Sequence, residues 1–138
     1  MSEPDSFMAG VLPGEPAQDA PVERNGEPAR LFDCFASGPT GLYFANPDGS
    51  LCDRDADSLA ALGERGVRPV VVLPPFCPFV GEAARGRVLD HSGVVHERYD
   101  ARPGTFYLID PARLVLGRWR SLSVEAVGAR LSARAAGR

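Results

Sequence analysis

Apolar residues along this chain fall in short blocks divided by Gly- and Pro-rich turns, and the spacing within each block predicts its element. Leu42-Tyr43-Phe44-Ala45 is a short apolar run bounded by Ser37-Gly38-Pro39-Thr40-Gly41 and Asn46-Pro47-Asp48-Gly49-Ser50, so a buried strand is expected. Asp53 to Ser58 offers capping residues and first-turn acids, which suit the positive end of a helix dipole. Leu59 and Leu62 give that helix one apolar face, and Gly63 and Gly66 close it. Val67 to Leu73, with Val70-Val71-Val72-Leu73 apolar on both faces, reads as a central parallel strand ended by Pro74, Pro75 and Pro78.

The later blocks continue this order. Phe76, Phe79 and Val80 are expected in the core, and Gly81 to Arg87 as one or two helical turns. Val88-Leu89-Asp90-His91 and Val94-Val95-His96-Glu97 read as strand-like or loop pieces around Ser92-Gly93. Phe106 to Ile109 is a strand, Asp110-Pro111-Ala112-Arg113 a type I-like turn, and Leu114 to Arg120 the partner strand of a hairpin. Ser121 or Ser123 caps a last helix with Glu125 in its first turn. Val124, Val127 and Leu131 form its core-facing stripe.

Residues 1–30 differ from the rest. They hold five prolines, three glycines and six acids against two arginines, too little apolar surface to offset chain entropy. An extended arm or linker is expected there, packing locally through Val11, Leu12 and Val22. The folded domain then spans residues 31–138, opening with Leu31-Phe32-Asp33-Cys34-Phe35 as a short strand or helical turn.

The 138 residues suffice for one domain with a core, and 44% apolar with 24% charged is an ordinary globular balance. A net charge of −3 gives no case for nucleic acid or an anionic membrane as partner. All 15 basic residues are arginines, scattered along the chain as a GC-rich genome would leave them. No apolar run approaches the roughly 18 residues of a membrane span, and no secretory signal pattern opens the chain. Cys34, Cys52 and Cys77 form neither a C-x-x-C nor an even framework, which points to free thiols and a cytoplasmic setting.

The order strand, helix, strand, irregular segment, strand hairpin, helix predicts an α/β fold of thioredoxin-like type, a small mixed sheet with helices on both faces. Pro103, just before a main strand, stands where such folds keep a cis-proline, so a cis Arg102–Pro103 bond is expected.

Arg98-Tyr99-Asp100-Ala101-Arg102-Pro103-Gly104-Thr105, then Tyr107-Leu108 and Arg118-Trp119-Arg120, resembles the C-terminal thioredoxin-like domain of FAD-dependent aromatic hydroxylases. These are monooxygenases of the phenol hydroxylase and 3-(3-hydroxyphenyl)propionate hydroxylase type. Pro13-Gly14, Pro16 and Asp19-Ala20-Pro21-Val22 resemble the linker that precedes that tail. Leu31-Phe32-Asp33 and Leu42-Tyr43-Phe44 resemble its first strand region. One departure is Ile109-Asp110-Pro111, where that family more often carries an arginine before a Pro-Asp turn. The resemblance implies a non-catalytic tail that supports a homo-oligomer, a dimer among them, or packs on a flavoprotein body. The chain would then be an excised domain, a truncated gene product or a stand-alone relative. FAD and NADPH belong to the larger N-terminal portion of such enzymes, and this chain, which lacks a G-x-G-x-x-G, is expected to hold no cofactor.

The candidate chemistry is therefore sparse, and no catalytic, cofactor or metal residue is assigned. The rival reading is a peroxidase- or glutathione-linked oxidoreductase using Cys52, placed near a helix N-terminus that favours a thiolate. Against it, the residue three positions on is Asp55, and Asp53, Asp55 and Asp57 disfavour a thiolate. Cys34 and Cys77, among Phe35, Phe76 and Phe79, are expected to be buried apolar residues. Asp48, Asp53, Asp55 and Asp57 lack the EF-hand spacing for calcium, and His91 with His96 lacks a shared face for zinc. Arg118 and Arg120 alternate with Trp119 and so share a face, open to solvent or to an anion or partner, with Trp119 in the core.

Overall fold

The computed structural model describes residues 7–35, 37–77 and 87–136. Its strands are β1 (Pro21–Arg24), β2 (Glu27–Arg30), β3 (Thr40–Phe44), β4 (Arg68–Leu73), β5 (Arg87–Leu89), β6 (Phe106–Ile109) and β7 (Val115–Trp119). Its helices are α1 (Asp53–Glu64), α2 (Val94–Arg98) and α3 (Val124–Ala136), and a 3-10 turn covers Leu31–Cys34. The strands form one mixed sheet in the order β2-β1-β5-β4-β3-β6-β7. β4 lies between parallel β3 and β5, as its two-faced apolar run predicts, and β6 runs antiparallel to β3.

Strand alternation sorts the core into two layers. Leu42, Phe44, Val70, Val72, Tyr107 and Ile109 face one side, beneath α2 and the N-terminal arm. Tyr43, Phe106 and Leu108 face the other, beneath Leu59 and Leu62 of α1 and Val127 of α3. Ser123 starts α3, its Oγ accepting the Ala126 N–H at 3.2 Å, and Val124 and Leu131 pack beside Val127 as the stripe requires.

Five expectations are corrected. Residues 21–30 are not extended arm; β1 and β2 form a hairpin that joins the sheet through β5. Asn25 and Gly26 carry its turn with φ of 55° and 79°, the positive pair that a two-residue hairpin loop needs. Val94–Glu97 is helix rather than strand or loop, because the buried Asp90 carboxylate accepts the Val95 and His96 N–H groups at its start. Phe76 is not core: it is 97% exposed, held outward with φ of 61° after Pro74-Pro75. Leu12 faces solvent too, whereas Val11 and Val22 are buried as expected.

The fifth concerns Pro103, since no cis peptide bond occurs among the described residues. Thr105 N–H closes on the Arg102 carbonyl at 3.0 Å and Gly104 has φ of 89°. Pro103 and Gly104 therefore fill the two central positions of a type II turn, which a trans proline suits. Phe79, Val80 and residues 81–86, expected as core and helical turns, lie outside the described residues, and Arg87 begins β5.

Candidate functional site

Two regions flank the Pro103 turn. Gly104 N–H bonds the Phe44 carbonyl at 2.8 Å and Phe44 N–H the Thr105 carbonyl at 3.0 Å, so the turn lies against the end of β3. Beyond β3 the Asn46–Ser50 loop leads to Cys52, the residue preceding α1, which is exposed. No side chain caps this helix. Asp55, three residues on, turns inward and accepts the Tyr43 hydroxyl at 2.5 Å. Burial, reinforced by the Asp55 carboxylate, pushes the Tyr43 phenol far up, so it stays a donor. Asp55 Oδ1 is buried without a hydrogen-bond partner, and exposed Arg54 approaches it only at 3.7 Å.

All three cysteines are free. Cys34 belongs to the opposite core layer, where burial raises its thiol above the usual value. Cys77, expected to be buried, is half-buried after β4. Asp48 serves a turn, accepting Ser50 N–H and Oγ–H at 2.9 and 2.6 Å. Among the described residues no three metal-capable side chains come together. His96 pairs through Nδ1 with Asp90 Oδ2 at 2.7 Å and meets the Phe44 ring edge-on, while His91 is exposed. Burial pushes the Asp90 carboxyl up, but hydrogen bonds from the His96 ring, His96 N–H and Val95 N–H outweigh it and hold it below the usual range.

The second region is the arm, residues 7–20, laid over the other face of β6 and the edge of β7. Asp100, in a left-handed backbone conformation, accepts Met8 N–H at 2.8 Å and Ala9 N–H at 3.1 Å. Its carboxyl is held below the usual range, first by Met8 and then by Ala9 and Arg120. Arg118 donates to the Ala9 and Val11 carbonyls at 2.9 and 3.1 Å. Arg120 donates to Asp100 Oδ2 at 2.9 Å, the Asp100 carbonyl at 2.5 Å and Thr105 Oγ1 at 3.0 Å. Both guanidiniums also lie over the Phe7 ring, 4.3 and 3.8 Å from its centre.

The two arginines share a face as their spacing predicts. That face is neither open solvent nor a vacant anion site; it grips this chain's own arm. Trp119, on the opposite face, is half-buried against Phe106. Farther along, Gly14 N–H bonds the Val115 carbonyl at 2.7 Å, Val115 N–H the Glu15 carbonyl at 2.9 Å and Ala17 N–H the Arg113 carbonyl at 2.7 Å. The arm thus pairs with the start of β7 through one antiparallel bridge, Pro16 to Leu114, and covers that end of the sheet edge. The Tyr99 hydroxyl bonds both the N–H and the carbonyl of Gln18, and the Tyr107 hydroxyl bonds the Tyr99 carbonyl. No local sequence pattern announces these contacts, since Phe7, Asp100 and Arg118 are about a hundred positions apart in the extreme pair.

No family model matches the chain, and no curated protein does. Solved structures do. Peroxidoxin BcpB from Mycobacterium tuberculosis superposes with a TM-score of 0.67 at 22% identity, covering 91% of this chain and 97% of that one. The flavin-dependent monooxygenase PieE gives 0.59 at 20% identity over 88% of this chain. Aklavinone-11 hydroxylase gives 0.56 at 25% identity over 87% of this chain. The match spans 20% of each of these two longer proteins. Mixed sheet, layered helices and these neighbours together make the fold α/β and thioredoxin-like.

Proposed function

We propose that this chain is a non-catalytic thioredoxin-like domain of the kind that forms the C-terminal tail of FAD-dependent aromatic-ring monooxygenases. Its role is to assemble, either with its own copies or against a flavoprotein body, and it binds no flavin or nicotinamide itself. One observation carries this reading: at the start of α1, three residues after the exposed Cys52, where a dithiol enzyme needs a second thiol, Asp55 is turned into the core onto Tyr43. The partial-length likeness to two flavin monooxygenases supports the same reading.

The exposed thiol of Cys52 and the likeness to a peroxidoxin favour the rival, a thiol-dependent oxidoreductase. Insulin-reduction and peroxide-consumption assays of the wild type and Cys52→Ser separate the two. The expected result is no Cys52-dependent turnover; turnover lost in the variant overturns the scaffold reading. Light scattering on the same sample should give a mass above the 14.7 kDa of one chain if self-association is the role. A strict monomer weakens the assembly reading.

A further inference from the structure

The contacts between arm and body select for sequence as well as shape. The Phe7 ring carries both guanidiniums over it and meets Tyr107 edge-on at 5.7 Å, so that position demands a π face. Three residues later Gly10, with φ of 87°, passes so close that a Cβ would lie 2.7 Å from the Tyr107 hydroxyl and 2.9 Å from the Tyr99 carbonyl. Glycine is required there for both backbone conformation and space. Between them Asp100 captures two successive N–H groups, and Arg118 reads the carbonyls on either side of Gly10. Residues 14–17 then add to the edge of β7. Main-chain pairing on a sheet edge, with side-chain anchors at fixed positions, is how sheet-edge modules bind extended peptides.

We propose that this face is a peptide-recognition groove, selective for an extended segment with an aromatic residue three positions before a glycine, and that the arm is its displaceable occupant. The proposal deepens the scaffold reading and rests on it: the recognition surface is this groove rather than the Cys52 end, and its ligand class is a Pro- and Gly-rich linker segment. Tethering explains why the arm fills it here. A short linker raises the local concentration of the arm to roughly the millimolar range, which suffices for a site of modest intrinsic affinity.

The test uses the full chain and its Gly10→Val variant, whose added side chain should eject the arm. The probes are a synthetic peptide of residues 7–18, a scrambled peptide, and the same peptide carrying Gly10→Val. Binding is followed by amide chemical shifts and by hydrogen exchange of β3 and β6. The variant, its core strands still protected, should bind the native peptide saturably with shifts at Tyr107, Arg118 and Arg120, and should reject the other two. The wild type, its groove filled, should bind at least about tenfold more weakly. A protected variant that ignores the native peptide, or takes the scrambled one equally, overturns the proposal. So does loss of core protection in the variant, because the arm would then be part of the fold and not a ligand. Turnover dependent on Cys52 would overturn the scaffold reading while leaving these binding results to stand or fall separately.

Discussion

The two sides of the Pro103 turn differ in what their polar groups bond. On the arm side, Asp100, Arg118, Tyr99 and Tyr107 bond the backbone of the arm or of one another, across as many as 109 residues of sequence. On the α1 side, the helix has no side-chain cap and Cys52 is exposed; each side leaves a buried atom without a hydrogen bond, Asp55 Oδ1 here and Arg120 Nε beside the arm. In related folds with chemistry at the helix start, that is the end where groups must be held in place. Here the ordered polar network lies on the opposite face, and it holds a peptide segment. The contrast is in keeping with the assembly role proposed above.

The largest test of the contrast is Tyr99→Ala. Tyr99 is fully buried, packs edge-on against Tyr107 at 4.9 Å and bonds Gln18 twice. Its loss should cost about 4 kcal/mol in urea unfolding, with arm amides losing protection first. A cost below about 1 kcal/mol would mean that the arm network contributes little.

A middle-sized effect belongs to the Tyr43–Asp55 pair. Asp55→Ala leaves a buried hydroxyl unpaired and should cost about 2 kcal/mol. Adding Tyr43→Phe removes the orphan, so the double variant should be no less stable than Asp55→Ala. Additive losses from the two changes would show that Asp55 stabilises α1 by some other contact.

The smallest effect is one of pH. Asp90 is fully buried yet held below the ordinary carboxyl range. A depressed folded value contributes stability that is complete above the unfolded value of about 3.9 and is lost as pH falls through the folded one. As pH falls below about 4, the wild type should lose stability more steeply than Asp90→Asn. Equal slopes would assign acid sensitivity to the other low carboxyls, Asp19, Asp48 and Asp100.

Most elements are legible in the apolar blocks of the chain. β4, β6, β7, α1 and α3 lie where their apolar blocks place them, and β3 starts earlier than its block, at Thr40 in the expected loop; β3 and β6 are buried on both faces and so read as continuous apolar runs. The hairpin β1–β2 carries a weaker signal, Asn25-Gly26 between Val22 and Ala29, which an acidic, Pro-rich composition masks. α2 is five residues long, too short for a helical period, and starts only because Asp90 captures its first N–H groups.

The amino-acid sequence by itself determined the apolar runs of the core strands, the lone cysteine where a dithiol would stand, and the common face of Arg118 and Arg120. Only the tertiary structure decided what that face meets. Arg118 binds Ala9 and Val11, more than a hundred residues away, and Gly10 is constrained by Tyr107 rather than by any neighbour in sequence. The reason is physical: periodicity reports which side of a strand is buried, whereas a hydrogen bond or close approach between distant segments exists only once the sheet has set their register.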